Sequence, residues 1–194
     1  MKDAIPKTEY KKNFGSAILK LLIWILIIAA IGGTIYYFTN TYLIRWPISG
    51  SSMTNTLQDK DTVLVFKTQN VDYDDIIIFN MEEYADTDKE RHLIKRVIGK
   101  GGDVISIRFD EANQCYHIYR NDEFVTEEHI KENMTSAGGY SEKTVTVPDG
   151  YYYVLGDNRN NSHDSHYGVY ARKDLIEGIA IMRMGGGFDI DLLT

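Results

Sequence analysis

Apolar positions along this chain fall into two regimes. From Leu21 to Ile44 there are 24 consecutive residues without a charge, including LLIWILIIAAIGGTIYYF. About 20 predominantly apolar residues carry a helix across a bilayer, so the pattern predicts one membrane span over 21–44. A cleavable targeting segment has a shorter apolar region, roughly 7 to 15 residues, and a small-residue cleavage site. A helix in a soluble core shows polar positions at helical spacing. The run fits neither.

Beyond the span the pattern changes to short β-like runs with polar punctuation. TVLVF (62–66), IIIF (76–79), LIKRVI (93–98), VISIRF (104–109), CYHIY (115–119), TVTV (144–147), YYYVL (151–155) and IEGIAIMRM (176–184) read as strands. GKGGD, RNDE and VPDG between them read as turns. The chain is therefore expected to hold a basic segment at 1–20, the span at 21–44 and a mainly β domain at 45–194. A polar excursion near 110–143 is expected to be mobile over 121–143, and GGGFDIDLLT to be a flexible tail. No internal repeat is present.

Composition changes the picture in two places. The net charge of −7 hides an asymmetry: residues 1–20 carry Lys2, Lys7, Lys11, Lys12 and Lys20 against Asp3 and Glu9. The rest is strongly acidic, which argues against nucleic acid as a partner. The basic flank before the span places the N-terminus in the cytoplasm and the residues after Arg45 outside. Trp24, Tyr36, Tyr37, Tyr42 and Trp46 stand towards the two ends of the span, where aromatic rings favour the interface. The single cysteine, Cys115, excludes an intrachain disulfide and a cysteine-built zinc site.

Three stretches could carry chemistry. ISGSSMTNTL (48–57) allows a tight backbone path that exposes a hydroxyl, although Ser-rich turns are common as simple junctions. In LIKRVIG (93–99), Lys95 and Arg96 sit side by side in an apolar strand and face opposite sides. A lysine held where water is scarce loses its proton readily and can act as a base; the alternative is a stem along the strand with its head in water. GDNRNNSHDSHYG (156–168) is dense in side chains that satisfy turn backbone. Its His163 and His166 permit a metal reading, but spacing suggests no third ligand, so no metal or cofactor is expected.

In this order and behind one span, these stretches resemble the type I signal peptidases, Ser/Lys membrane proteases that remove signal peptides from exported proteins. SGSSMTNTL resembles the family's nucleophile box, Ser-Met-x-Pro-Thr-Leu, which implies Ser52 as nucleophile. KRVIGKGGD resembles the general-base box, with Lys95 as base and Arg96 in support. GDNRNNSHDSHYG resembles the last box, with Ser162 and Asp164 in supporting positions. The resemblance covers about 45–109 and 144–184. The single span and the short middle are similar to the Gram-positive enzymes. It implies a largely β catalytic domain with an apolar surface on the bilayer.

The resemblance further implies that Ser52 attacks the scissile carbonyl, that Ser162 holds the Lys95 amine by a hydrogen bond, and that the Ser52 backbone N–H meets the oxyanion. Its substrates would be exported preproteins cut after A-x-A-like residues, with the secretion translocon as a possible neighbour. Asn55 and Gly101 replace family prolines, which predicts a loss of rigidity with the reaction preserved. His166 replaces an arginine that pairs with the aspartate at position 164, so Asp164 is expected to rely more on Arg96. Two other classes stay open: a membrane-anchored assembly or binding protein for exported or pilin-like partners, and a self-cleaving Ser/Lys regulator. The second lacks a visible DNA-binding domain.

Overall fold

A computed structural model describes residues 7–81, 91–126, 128–135, 141–186 and 189–193, with side chains from residue 15 onward. The chain forms two compact units, residues 1–43 and 44–194. The first is a single helix, α1 (Lys7–Tyr42). Its stretch Gly15–Tyr42 is long and apolar enough to cross a membrane, and no part of it is buried against protein. A helix that is apolar all round needs a nonaqueous surrounding. Its few polar side chains turn back on the helix: the Thr34 hydroxyl donates to the Ala30 carbonyl at 2.9 Å and the Asn40 amide to the Tyr36 carbonyl at 2.8 Å. That removes the cost of unpaired donors in an apolar medium.

The helix ends two residues before the expected boundary. Leu43 and Ile44 belong instead to β1 (Leu43–Pro47), and Ile44 and Trp46 pack against a buried cluster of the second unit. The second unit continues with β2 (Thr62–Phe66), β3 (Ile76–Asn80), β4 (His92–Lys100), β5 (Val104–Asp110), β6 (Cys115–Arg120), β7 (Glu123–Phe124), β8 (Lys143–Thr146), β9 (Tyr151–Leu155), β10 (Ala171–Arg172), β11 (Ile176–Met184) and β12 (Ile190–Leu192). The domain is mainly β, as the apolar pattern predicts. All eight expected runs are strands; β1, β7, β10 and β12 are additional and short or edge-lying.

One sheet has the order β1-β2-β11-β3-β4-β9-β10, with β12 also on β11; the other runs β7-β6-β5-β8. Ile76 and Ile78 of β3 join one buried cluster and Ile77 and Phe79 another, so the larger sheet is covered on both faces. This explains its continuous apolar runs. A third cluster joins the two sheets, with Ile98, Tyr153 and Leu155 meeting Ile105, Ile107 and Ile118.

β4 changes partners midway. His92 to Arg96 pair with β3, whereas β9 pairs from Arg96 onward, with a register shift between Val97 and Gly99. Lys95 and Arg96 lie at this handover. The β9 side of 92–95 is consequently not taken by β9.

Two expectations of mobility are corrected. The tail contributes β12, which pairs with Met182–Met184, and Arg183 binds Asp189 at 2.8 Å and also Asp191. Alternating charge and apolar residues let it close a sheet edge. Residues 128–135 of the excursion pack on the domain: Met134 is fully buried and bridges Tyr116. Residues 127 and 136–140 of the excursion lie outside the described residues.

Gly178 sits at a register shift where β11 meets β3, and a Cβ there would stand 2.3 Å from the Phe66 carbonyl oxygen. Gly178→Ala should therefore lower stability by about 1–3 kcal/mol. Thermal unfolding of the detergent-solubilised chain followed by circular dichroism checks this; an unchanged midpoint would mean the strands have slack there.

Candidate active site

Three loops and one strand converge. The loop between β1 and β2 carries Ser52 in a tight turn, in which the Thr54 N–H donates to the Ser51 carbonyl at 3.1 Å and the Leu57 N–H to the Met53 carbonyl at 2.8 Å. Met53 and Leu57 are buried and pin the turn to the core. Gly50 has φ +100, a conformation open to glycine, and its N–H donates to Asp59. From the opposite side, the Asn158 N–H donates to the Ser52 carbonyl at 3.0 Å and the Asn158 amide to the Ser51 carbonyl at 2.9 Å.

The β4 strand brings Lys95 to this turn. Its Nζ lies 2.7 Å from Ser52 Oγ and 2.9 Å from the Ile94 carbonyl. The side chain is 2% exposed. Burial lowers its pKa from 10.5 to about 8, while the nearby carboxylates of Asp164 and Asp157 pull the other way. An amine in this condition is about one tenth neutral at pH 7, far more than an ordinary lysine, so it can take a proton from the hydroxyl it touches.

Arg96, on the opposite face, binds Asp157 with two parallel bonds, Nε to Oδ1 at 2.9 Å and a terminal nitrogen to Oδ2 at 2.7 Å. Both groups are buried. Breaking such a pair leaves an uncompensated charge, at a cost of about 3–5 kcal/mol. Asp157 also accepts from the Thr56 hydroxyl in the Ser52 loop. The pair thereby ties the strand of Lys95 to the loop of Ser52.

The expected reliance of Asp164 on Arg96 is thus overturned, because that guanidinium is engaged by Asp157 and, through its other terminal nitrogen, by the Asp74 carbonyl at 2.8 Å. Asp164 is fully buried and takes His166 Nδ1 at 2.6 Å, with the Gly156 N–H at 2.9 Å on its other oxygen. Histidine fills the place of the family's arginine by contacting the same carboxylate. His163 stacks on Tyr167, and among the described residues no group of three or more His, Cys, Asp or Glu is placed to hold a metal.

Ser162 departs from expectation in a different way. Its Oγ is buried without a hydrogen bond, so it does not hold the Lys95 amine in this structure. It lies against Gly156, where a Cβ would approach Ser162 Oγ and the Ser52 carbonyl oxygen to 2.4 Å. Glycine at 156 is required by this close approach.

Asn55 adopts φ +108, which a proline ring cannot reach. Its amide donates to the carbonyls of His129 at 3.2 Å and Ile130 at 3.4 Å. The loss of proline is thus a change of backbone path with a new tether, beyond the expected loss of stiffness. The same segment reaches the third loop, where the Lys131 N–H donates to the Asp157 carbonyl at 3.0 Å.

Sequence reasoning passed over Asp157, Thr56 and Asn158. Asp157 stands in the same polar box as Asp164, but nothing in its spacing marks which carboxylate meets Arg96. Beside the Ser52–Lys95 pair opens a cavity of about 180 Å³ of mixed character, lined by the apolar Trp46, Ile48, Ile78 and Leu93 and by the polar Ser49 and His92.

A family model described as signal peptidase, peptidase S26, matches residues 18–184. The chain belongs to this family, and with it to the type I signal peptidases, which are serine proteases. It is 34% identical over 157 residues to signal peptidase I U of Bacillus subtilis, covering 75% of this chain and 76% of that one. With signal peptidase I T of the same organism it shares 32% over 180 residues, covering 87% and 81%. A Synechocystis relative is 33% identical over 153 residues, covering 76% of this chain and 65% of that protein, just under two thirds of its length. A crystal structure of a signal peptidase I from Enterococcus faecalis V583 aligns with 26% identity and a TM-score of 0.43, covering 57% of this chain and 96% of that one.

The Lys95 amine should titrate near pH 8 in the folded protein, well below an ordinary lysine. Because Asp164 favours the ammonium, Asp164→Asn should move that titration lower still. NMR of the selectively labelled lysine reads both; an amine titrating near 10.5, or an upward move in Asp164→Asn, would refute the burial argument.

Proposed function

We propose that this chain is a membrane-anchored Ser/Lys endopeptidase that removes N-terminal signal peptides from exported preproteins. The carrying observation is the contact of 2.7 Å between Ser52 Oγ and the buried Lys95 amine. Membership of the signal peptidase family supports the substrate class.

In this reading neutral Lys95 removes the Ser52 hydroxyl proton as Oγ bonds to the scissile carbonyl carbon. The ammonium then returns the proton to the leaving amine, and the C–N bond breaks to give an acyl-enzyme. Water, deprotonated by the same amine, hydrolyses the ester and regenerates the hydroxyl. The Ser52 backbone N–H is the oxyanion donor, a contribution typically worth about 2.7–4 kcal/mol. Arg96 with Asp157, and Asp164 with His166, act as positioning pairs around the dyad.

The side of His92–Lys95 not paired with β9 is suited to a substrate added as an extended strand, with main-chain bonds giving affinity and side-chain pockets giving choice. The cavity next to Ser52, with a volume of about 180 Å³, would take small residues before the cut, the A-x-A pattern of signal peptides. The helix α1 anchors the enzyme as a single pass. Its basic flank puts the N-terminus in the cytoplasm and the catalytic domain on the outer side, where a preprotein leaving the translocon presents its cleavage site.

Purified detergent-solubilised protein should cleave an A-x-A preprotein after the small residue, as read from the product's N-terminus. Ser52→Ala and Lys95→Ala should each lose activity by on the order of 10⁴-fold or more. Folded wild-type protein inactive across several preproteins and pH values would sink the proposal.

A further inference from the structure

The Ser52 hydroxyl meets Lys95, but the backbone on both sides of Ser52 is held by a different residue. Asn158 is 3% exposed and stands at the N-terminal cap of the short 3₁₀ turn Arg159–Asn161. An asparagine in that place ordinarily bends its side chain back onto the N–H groups of its own turn. This one makes no such cap bond. Its amide nitrogen donates instead to the Ser51 carbonyl at 2.9 Å, and its backbone N–H donates to the Ser52 carbonyl at 3.0 Å. A carbonyl only accepts, so the nitrogen end of the amide is the end that faces Ser51.

Resting on the peptidase reading, we infer that Asn158 is a positioning residue that aims the Ser52 N–H at the oxyanion. The Ser51 carbonyl and the Ser52 N–H belong to one planar trans peptide and point in opposite directions. Holding the carbonyl therefore sets the direction of the N–H. The same oxygen also takes the Thr54 N–H at 3.1 Å, and bonds accepted at one end of a peptide polarise the donor at its other end. Among the described residues no protein acceptor takes the Ser52 N–H, which leaves it for a substrate oxygen. The bond to the Ser52 carbonyl holds the next peptide plane. With both planes held, φ and ψ of Ser52 are set, and Oγ and the N–H keep one relation to each other.

Aiming a peptide plane differs from tying two loops together, and a neighbour separates the two roles. Asn161 also reaches this turn, donating from its amide to the Ser51 hydroxyl at 3.1 Å. That contact joins the same loops through a side chain and leaves the two carbonyls alone.

The test uses the full chain in detergent micelles, an A-x-A preprotein peptide as substrate and two inhibitors built on its sequence. One ends in an aldehyde: Ser52 Oγ bonds to the aldehyde carbon, the hydroxyl proton passes to Lys95, and the carbonyl oxygen becomes the oxyanion. The other carries CH2–NH in place of the scissile amide and has no oxygen there to be placed. In Asn158→Ala, kcat should fall about tenfold with KM within about twofold, and the aldehyde should bind about tenfold more weakly while the reduced peptide binds as before. Asn158→Gln, which keeps a donor, should recover part of the loss, and Asn161→Ala should stay within about twofold of wild type throughout. Equal losses in Asn158→Ala and Asn161→Ala, equal weakening of both inhibitors, or an unchanged aldehyde affinity in Asn158→Ala overturns the inference. Where Asn158→Ala does not fold, Asn158→Leu, of nearly the same size and without a donor, decides by the same ratios. A wild type that neither cleaves the peptide nor binds the aldehyde overturns the peptidase reading, and this inference with it.

Discussion

Burial of one amine is the constraint around which the domain is arranged. An ammonium in water is a poor base, and a lysine becomes useful only where desolvation competes with its charge. The sheet, covered on both faces, supplies that desolvation for Lys95, and the carboxylates of Asp157 and Asp164 oppose it. The outcome is an amine lowered to about 8 and not further, which keeps both protonation states within reach near neutral pH. A site without those carboxylates would hold a weaker base, and one open to water would hold a charged one.

The neighbouring arginine solves a different problem with the same strand. Consecutive residues of β4 face opposite sides, so Lys95 can meet the hydroxyl while Arg96 faces the Asp157 carboxylate. Asp157 also accepts from Thr56, and Asn158 holds the Ser52 carbonyl. The Ser52 loop is therefore fixed by the partner of the residue next to Lys95. Small errors in either loop would separate Oγ from Nζ, and redundancy of the ties guards against this.

Two positions that depart from the family's boxes make contacts of their own. His166 contacts the Asp164 carboxylate that an arginine would otherwise contact, at 2.6 Å through Nδ1. Asn55 takes a backbone angle closed to proline and spends its amide on the carbonyls of 129 and 130. Those residues belong to a segment whose polar composition reads as an excursion. Its backbone instead contacts the Ser52 and Asp157 loops, an outcome visible only once Met134 finds its buried place.

From sequence alone the apolar helix and the eight principal strands were legible, because each is a local matter, whereas Ser52 and Lys95, 43 residues apart, were brought together only through the family resemblance. An uncharged run longer than a bilayer, period-two alternation and short motifs are properties of neighbouring residues. The end of the helix, the tail strand β12 and the edge strands were not, since they exist through pairing with distant residues. Likewise the partner of each buried charge was decided by tertiary structure. Arg96 lies 61 residues from Asp157, and nothing in their spacing favours Asp157 over Asp164. Only the meeting of the loop after β9 with the strand handover in β4 sends one carboxylate to arginine and the other to histidine.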